Sequence, residues 1–216
     1  MRKLKSNFVV VEGADGAGKT ALLTNLKSKL EELGYTVVVG REPGGTIWSE
    51  LIRDAVLYAP SEDKPSNKCV LTGMFLSRFN LYEKRIAPAL SEDKVFLCDR
   101  FVASSFAYQV YGKDPIYYDM FDSLNHFGQF SRYQSIVLDV TYAESIKRRG
   151  KGRDLLFEDD MEIQNSSEDK FNNLREGVKD FYKSTQHGTY ILIDTTTKSL
   201  DEVNDLALDS LFKQVD

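Results

Sequence analysis

The sequence has few residues that could hold a structural metal or a disulfide framework. It contains only two cysteines, Cys69 and Cys98, and two histidines, His126 and His187. Two cysteines cannot form the several crosslinks typical of small secreted proteins, and the spacing of these four residues is not that of a zinc site. We therefore expect a protein of the reducing cytoplasm.

Long hydrophobic runs are also missing. The longest, such as Phe8 to Val11 and Ile191 to Ile193, are far shorter than the roughly 20 residues needed to cross a bilayer. The basic residues near the start lead into only four apolar residues before Glu12. We therefore expect neither a signal peptide nor a membrane segment.

The charge balance is mildly acidic. The chain has 28 Lys and Arg against 33 Asp and Glu, a net charge of −5, so its surface as a whole repels polyanions and general nucleic-acid binding is not expected. Its 216 residues are 42% hydrophobic, which is enough to fill one core. We predict a single domain over residues 1–216.

Apolar runs of strand length alternate with longer stretches of helical period. This alternation is typical of crossover units, and the nearly continuous Val, Ile, Leu and Phe content is typical of strands covered on both faces. The pattern predicts an α/β fold with a five-stranded parallel sheet flanked by helices. The predicted strands are Phe8 to Glu12, Thr36 to Gly40, Lys94 to Cys98, Ser135 to Val140 and Thr189 to Ile193. The predicted helices are Lys19 to Leu33, Ile47 to Val56, Lys68 to Ala87, Ser104 to Tyr111, Pro115 to His126, Ala143 to Arg149, Glu168 to Ser184 and Leu200 to Phe212.

A glycine-rich segment follows the first predicted strand at once and opens the first predicted helix. It satisfies the pattern G-x-x-x-x-G-K-S/T, in which backbone amides cradle phosphates, the lysine reaches the terminal phosphates and the hydroxyl meets Mg²⁺. The strand and helix around it favour a P-loop over a turn that binds nothing. The predicted ATP-binding residues are Gly13, Ala14, Asp15, Gly16, Ala17, Gly18, Lys19 and Thr20.

A P-loop alone leaves several classes open, because GTPase switches, ATPase motors and small-molecule kinases share it. A Ras-type GTPase needs N-K-x-D to read guanine. The only Asn-Lys pair, at Asn67 and Lys68, is followed by Cys69 and Val70, so the acidic residue is missing. That class is disfavoured, while a kinase and a non-catalytic nucleotide switch remain.

Three sequence blocks in order resemble the thymidylate kinases. They are VVVEGADGAGKT ending at Thr20, REPGGT at 41–46, and DRF at 99–101 running into SSFAYQ at 104–109. The likeness covers nearly the whole chain. It implies a P-loop NTPase fold with a short lid, transfer of the γ-phosphoryl group of MgATP to dTMP to give dTDP, and a homodimer with the 68–87 helix in its interface. A kinase for another deoxynucleoside monophosphate is the alternative within the class.

The resemblance also implies catalytic roles around the P-loop lysine, Lys19. Asp99 follows an apolar strand, so it lies at the carboxyl end of the sheet, where such sheets bind ligands. The family assigns it to Mg²⁺, directly or through water, beside the Thr20 hydroxyl of the P-loop pattern, and assigns Arg100 to a bridge between the two phosphate groups. A structural Asp-Arg pair is the alternative. No general base is expected, because a phosphomonoester with a second pKa of about 6 is already ionised near neutral pH.

The basic segment RRGKGR at 148–153 resembles the closing lid of nucleotide kinases, which we place at about 147–160. Phosphoryl transfer needs cations near the transferred group once water is shut out. Some relatives carry an arginine in the P-loop itself, but here that stretch is Gly16 and Ala17. The cation must then come from the lid, with Arg153 the first candidate and Arg149 the second. Leu156 stands where many relatives have an arginine, and a plain solvated turn is the alternative.

The acceptor site is assigned by the same resemblance. Asp15 is expected to bind the sugar 3′-hydroxyl, Arg41 and Arg53 the acceptor phosphate, and Arg78 the pyrimidine O4. The family usually places an aromatic residue four positions before that arginine; here Met74 stands there and the ring is at Phe75. The fit around the C5 methyl is therefore expected to be loose, and dUMP to be accepted. The predicted dTMP-binding residues are Asp15, Arg41, Arg53, Phe75, Arg78, Arg100, Ser105, Tyr108 and Gln109.

For three of these residues a plainer reading stays open. Arg41 could form an ion pair with Glu42, and Arg53 could lie on a solvated helix face. Phe75, with Met74 and Phe79, could belong to a core or dimer stripe.

Overall fold

The computed structural model describes residues 3–151, 167–184 and 189–213. Its centre is a five-stranded sheet in the order β2-β3-β1-β4-β5, with every pair parallel. This confirms the predicted sheet. The strands are β1 Phe8–Gly13, β2 Val37–Arg41, β3 Val95–Asp99, β4 Gln134–Asp139 and β5 Thr189–Asp194.

Helices cover both faces of the sheet. All six residues of β1 are buried, which explains why its sequence is continuously apolar up to Glu12 rather than alternating. The helices are α1 Lys19–Glu32, α2 Ile47–Leu57, α3 Asn67–Leu81, α4 Ala87–Ser91, α5 Val102–Gln109, α6 Pro115–Gly128, α7 Tyr142–Lys151, α8 Glu168–Ser184 and α9 Leu200–Ser210. No helix within the described ranges is long and apolar enough to cross a membrane.

The helical run that begins at Asn67 is longer than the sequence predicts. The predicted helix ends at Ala87, just before Pro88, a residue that interrupts the interior of a regular helix. A π-helical turn at Tyr82–Ile86 instead joins α3 to α4. The turn places Pro88 in the first turn of α4, where its missing amide hydrogen has little cost.

The strand order reverses at β1, which lies between β3 and β4. Ligands of open parallel sheets bind at the carboxyl ends of the strands beside such a reversal. The register brings Val11 of β1 and Arg41 of β2 level with Asp99 of β3. The segment that follows β1 therefore meets the ends of β2 and β3 at one edge of the sheet.

Part of the predicted lid can be placed. Helix α7 includes residues 147–151, and Arg149 lies on it. Arg153 and Leu156 lie outside the described residues, so the role of Arg153 stays a prediction.

Candidate active site

A cavity of about 340 Å³ opens at this edge of the sheet. Its wall is formed by the P-loop, the segment after β2, and helices α2, α3 and α5. Charged side chains share that wall with apolar ones such as Val56, Val70 and Met74, a combination typical of sites for small molecules. The predicted site residues in the wall are Asp15, Arg53, Arg78, Arg100, Ser105, Tyr108 and Gln109.

The predicted stacking role of Phe75 is wrong. Its ring is fully buried and packs against Phe79 and Phe121, and it is not part of the cavity wall. Met74, one position earlier, lies in the wall instead. One helical position turns a side chain by about 100°, so a ring at 75 cannot occupy the direction of a ring at 74.

The two arginines predicted for the acceptor phosphate differ. Arg53 is buried and donates a hydrogen bond to the Pro43 carbonyl at 3.0 Å, so it does not lie on a solvated helix face. Arg41 forms an ion pair of 2.9 Å with Glu50 and is absent from the cavity wall. The structure thus brings Arg53 to the cavity and leaves Arg41 outside it.

Arg78 is held by a buried network. Its Nε donates to Glu42 Oε2 at 2.6 Å, and its Nη2 donates to the Phe101 carbonyl and to Ser105 Oγ at 3.0 and 2.9 Å. Its Nη1 is buried and has no hydrogen-bond partner in the described chain. The network therefore fixes the plane of the guanidinium while one donor remains for a ligand in the cavity.

Glu42 is a site residue that sequence reasoning missed. Its side chain is buried in the cavity wall, and Oε1 has no hydrogen-bond partner among the described residues. Burial raises the pKa of this carboxyl to about 7, although the charge of Arg78 opposes the shift. Its position in the REPGGT block was the available signal, but the pairing with Arg78, 36 residues away, was not visible in the sequence.

Arg100 adopts a left-handed backbone conformation, with φ of 63°. Its side chain forms an ion pair with Asp15 and donates to the Gly13 carbonyl and Ser104 Oγ at 3.2 and 3.3 Å. Burial raises the pKa of Asp15, but the positive charges of Arg100, Lys19 and Arg149 outweigh burial and hold it below its usual value. Asp15 is therefore a carboxylate, and its Oδ2 has no partner in the described chain.

Glu12 supports the strained position of Arg100 and was also missed as a site residue. This fully buried carboxyl accepts hydrogen bonds from the amides of Phe101 and Ser104 at 2.8 and 3.2 Å, and from Ser104 Oγ at 2.6 Å. A non-glycine residue in the left-handed region costs about 1–3 kcal/mol. The bonds on either side of it, from Arg100 N to the Val11 carbonyl at 2.9 Å and from Phe101 N to Glu12, maintain that conformation.

The P-loop connects β1 to α1. Lys19 Nζ donates to the Gly13 and Ala14 carbonyls at 3.1 and 3.3 Å and lies 3.5 Å from Asp15 Oδ1. Thr20 is exposed in the first turn of α1. The lysine is held at the loop by weak contacts that phosphate oxygens could replace, and the helix N-terminus adds a favourable dipole for an anion.

Two further polar groups at this edge lack partners. Asp99 Oδ1 is buried at the end of β3 with no hydrogen bond in the described chain, so a cation ligand role fits it. On α7, the Nε, Nη1 and Nη2 atoms of Arg149 are all buried, and no described residue accepts a hydrogen bond from them. A charged guanidinium without hydrogen bonds is costly unless a bound anion provides them.

Two anion sites therefore meet at the end of β1. The P-loop suits a polyphosphate, and the cavity beside it has Arg53 and Arg100 in its wall. Arg100 reaches from the cavity to the Gly13 carbonyl of the P-loop, so the two sites share one cation. Fold and site together define a P-loop kinase of a small phosphorylated acceptor.

Comparison with known proteins narrows this class. The thymidylate kinase family model matches residues 11–206. Thymidylate kinase of Thermoanaerobacter sp. (strain X514) is 35% identical over 83% of this chain and 87% of its own length. That of Clostridium novyi (strain NT) is 29% identical over 98% and 97%. The crystal structure of thymidylate kinase from Ehrlichia chaffeensis superposes with a TM-score of 0.71 and 25% identity, covering 94% of this chain and 97% of that one. The chain belongs to the thymidylate kinase family.

Proposed function

We propose that this chain transfers the γ-phosphoryl group of MgATP to dTMP, giving dTDP, with ATP at the P-loop and dTMP in the adjoining cavity. Phosphoryl transfer from ATP to dTMP is the activity of the family to which it belongs. The observation that supports the acceptor is a matched pair of buried atoms without partners, Asp15 Oδ2 and Arg78 Nη1, on residues of one cavity wall. One accepts and the other donates a hydrogen bond.

The proposed contacts follow from that pair. The Asp15 carboxylate accepts the 3′-hydroxyl of the deoxyribose, and Arg78 Nη1 donates to pyrimidine O4. Arg53 and Arg100 bind the acceptor phosphate, because a planar guanidinium matches its oxygens. Met74 lies in the cavity wall and packs against the base, where the resemblance led us to expect a stacked aromatic ring. Ser105, Tyr108 and Gln109 line the remaining wall.

Catalysis in this proposal is positional and electrostatic. The acceptor phosphate is already an anion near neutral pH, so the chain needs no general base. Arg100 lies between the two anion sites and reduces the repulsion between the phosphate groups brought together there. Lys19 and Arg149 provide positive charge on the donor side. Arg153, the first candidate for the lid cation, stays a prediction.

Asp99 and Thr20 are the residues that would hold Mg²⁺. The unpartnered Asp99 Oδ1 and the exposed Thr20 hydroxyl are oxygen donors, the type that Mg²⁺ prefers, at the edge of the sheet where the P-loop lies. When bound with ATP, Mg²⁺ neutralises charge on the phosphate oxygens. The chain's own part is to keep the Asp99 carboxylate at the end of β3.

Steady-state kinetics with a panel of acceptors tests the proposed substrate. Thymidylate and deoxyuridylate differ by one methyl group, and a methyl-sized difference gives roughly 10- to 200-fold discrimination even in a good pocket. With flexible Met74 at the wall, we expect dUMP to be a substrate with kcat/KM within about 100-fold of dTMP. Purine monophosphates should be poor substrates.

The panel therefore contains dTMP, dUMP, dGMP and dAMP, with ADP release as the readout. Undetectable turnover of dUMP would reject the loose pocket around Met74. A preferred purine would overturn the acceptor assignment in favour of another deoxynucleotide. Nucleotide binding without transfer to any acceptor would favour the non-catalytic switch.

A homodimer is the proposed assembly. Large apolar side chains are exposed on α2, α3 and α6, among them Ile47 at 89%, Leu51 at 62% and Phe127 at 75%. The Phe127 ring contacts that of Phe79 on α3, so the patch continues from one helix to the next. Monomers rarely expose large apolar patches.

Light scattering after size exclusion tests the dimer. We expect twice the chain mass of 24.6 kDa, and a monomer for Leu51→Glu. Leu206→Glu on α9, an exposed leucine outside the patch, is the matched control. A monomeric parent chain would contradict the proposal.

We also place the protein in a reducing cytoplasm. Both cysteines are free, Cys69 exposed and Cys98 buried in β3. An exposed free thiol is more persistent in a reducing compartment.

A further inference from the structure

The P-loop carbonyls on the side of α7 are bound by side chains from outside the loop. Ser145 Oγ donates to the Asp15 carbonyl at 2.7 Å, and Arg148 Nη1 donates to the Gly16 carbonyl at 3.3 Å. Thr195 Oγ1, after β5, lies 3.2 Å from the Ala17 carbonyl and 3.0 Å from the Asp139 carbonyl, and its single proton can be donated to only one of them. Two successive carbonyls of the loop, those of Asp15 and Gly16, are thus each bound by a side chain of α7.

Helix α7 also touches the loop directly. Ser145 is fully buried, and a Cβ atom at Gly16 would lie 2.9 Å from its Oγ and 3.0 Å from its carbonyl oxygen. Such distances leave no room for a side chain or a water layer. The Ser145 hydrogen bond is the shorter of the two from α7 to the loop, and it is buried.

Arg149 lies on the same face of α7. Residues 145, 148 and 149 are spaced i, i+3 and i+4, which places their side chains on one side of a helix. Ser145 binds the main chain of Asp15, and Arg149 lies close enough to the Asp15 carboxylate to help lower its pKa. Ser145 and the unpartnered guanidinium of Arg149 thus both interact with Asp15 of the P-loop.

We infer that Ser145 is a positioning residue for phosphoryl transfer: its hydroxyl fixes α7 on the P-loop so that the Arg149 guanidinium stands beside the donor phosphates. The inference rests on the proposed function, which gives Arg149 its ligand. Ser145 touches no substrate in this scheme and acts only through Arg149. A shift of α7 by a fraction of a turn would move the guanidinium away from an anion held by the loop amides.

A double-mutant cycle tests this coupling. The variants are Ser145→Ala, Arg149→Ala and the pair together, assayed for kcat and for KM of dTMP and ATP. Ser123→Ala is the matched control, because the exposed Ser123 Oγ donates to the Asp119 carbonyl within its own helix, α6. Thermal unfolding of each variant shows whether it folds. Should Ser145→Ala not fold, Ser145→Cys replaces it, since it keeps the volume and weakens the donor.

We expect Ser145→Ala to lower kcat by about 10-fold with the KM of dTMP changed less than about twofold, the pattern of a misplaced catalytic group. In the Arg149→Ala background the same change should leave kcat within about twofold. Unchanged kcat in Ser145→Ala, or an equal loss in both backgrounds, would overturn the inference while the function of Arg149 stands. A silent Arg149→Ala would instead remove that part of the proposed function, and the inference with it.

Discussion

Two arginines at the junction of the P-loop and the cavity are held in opposite ways. Arg100 pairs with Asp15 and donates to the Gly13 carbonyl and Ser104 Oγ. The Nε, Nη1 and Nη2 atoms of Arg149 are also buried, but they donate to no described residue. The first is a fixed part of the protein's own network, and the second keeps all its donors for a ligand.

This difference in hydrogen bonding indicates different roles: recognition of the acceptor phosphate for Arg100 and neutralisation of charge for Arg149. A bonded guanidinium presents its remaining edge in one orientation, which suits a site that must place an acceptor phosphate. A buried guanidinium without hydrogen bonds destabilises the free protein more, because its charge has lost water without gaining partners. When an anion binds, all of its donors can form hydrogen bonds to that anion. Arg100 is therefore expected to depend on its geometry, and Arg149 mainly on its charge.

Substitution of Arg100 should have the largest effect. We expect Arg100→Ala to lower kcat by at least about 100-fold, the usual scale for removing one electrostatic stabiliser. Arg100→Lys should restore little of it, because one ammonium cannot make the same set of directed contacts. Arg132→Ala, on an exposed arginine, is the control. Strong recovery by the lysine variant would contradict the role given to geometry.

Substitution of Arg149 should have a smaller effect that charge alone reverses. We expect Arg149→Ala to lower kcat by about 30-fold with little change in the KM of dTMP, because its charge acts mainly on the transferred group. Arg149→Lys should recover kcat to within about fivefold of the parent chain. Single-turnover kinetics with saturating ATP measures this. If Arg149→Lys were as slow as Arg149→Ala, charge alone would not explain the role of Arg149, and the contrast with the geometric role of Arg100 would be wrong.

Glu42, the buried carboxyl that binds Arg78, gives an effect on stability and not on turnover. The pKa of Glu42 is raised from 4.5 to about 7. A carboxyl with a raised pKa in the folded state stabilises the fold fully below pH 4.5 and loses this contribution as the pH rises through about 7. Glu42→Gln should remove that dependence, worth about 3 kcal/mol in the free energy of unfolding between pH 4.5 and 7.

Urea unfolding at pH 5, 6, 7 and 8 measures the difference between Glu42→Gln and the parent chain. Glu62→Gln, on an exposed carboxyl, serves as control. We expect the advantage of the parent chain to shrink as the pH rises. Parallel pH profiles for the two proteins would show that Glu42 does not titrate in this range.

Local patterns were enough to predict most of the fold. Strands buried on both faces leave continuous apolar runs, and α8 was predicted from Glu168 to Ser184, the bounds it has. The end of α4 was not predicted, because a π turn depends on packing around it rather than on local propensity. The P-loop was found because its function requires fixed residue types at fixed spacing.

The candidate site was harder to predict where it depends on long-range pairs. Sequence could suggest Arg78 but not its bond to Glu42, and could suggest Arg100 but not the support from Glu12. Phe75 was misplaced because resemblance gives a residue type, while the helix register decides which neighbour faces the cavity. Arg41 was assigned to the acceptor from its block, but its ion pair with Glu50 holds it elsewhere.

The close contact at Gly16 limits how sequence can be exchanged among homologues. A P-loop with a long side chain at position 16 would place it on a turn that, in this chain, has φ of 79° at Gly16 and Ser145 directly against it. That side chain and this position of α7 are sterically incompatible. A chimera that takes such a loop must also take the donor's helix, so the transferable unit is the loop and helix together.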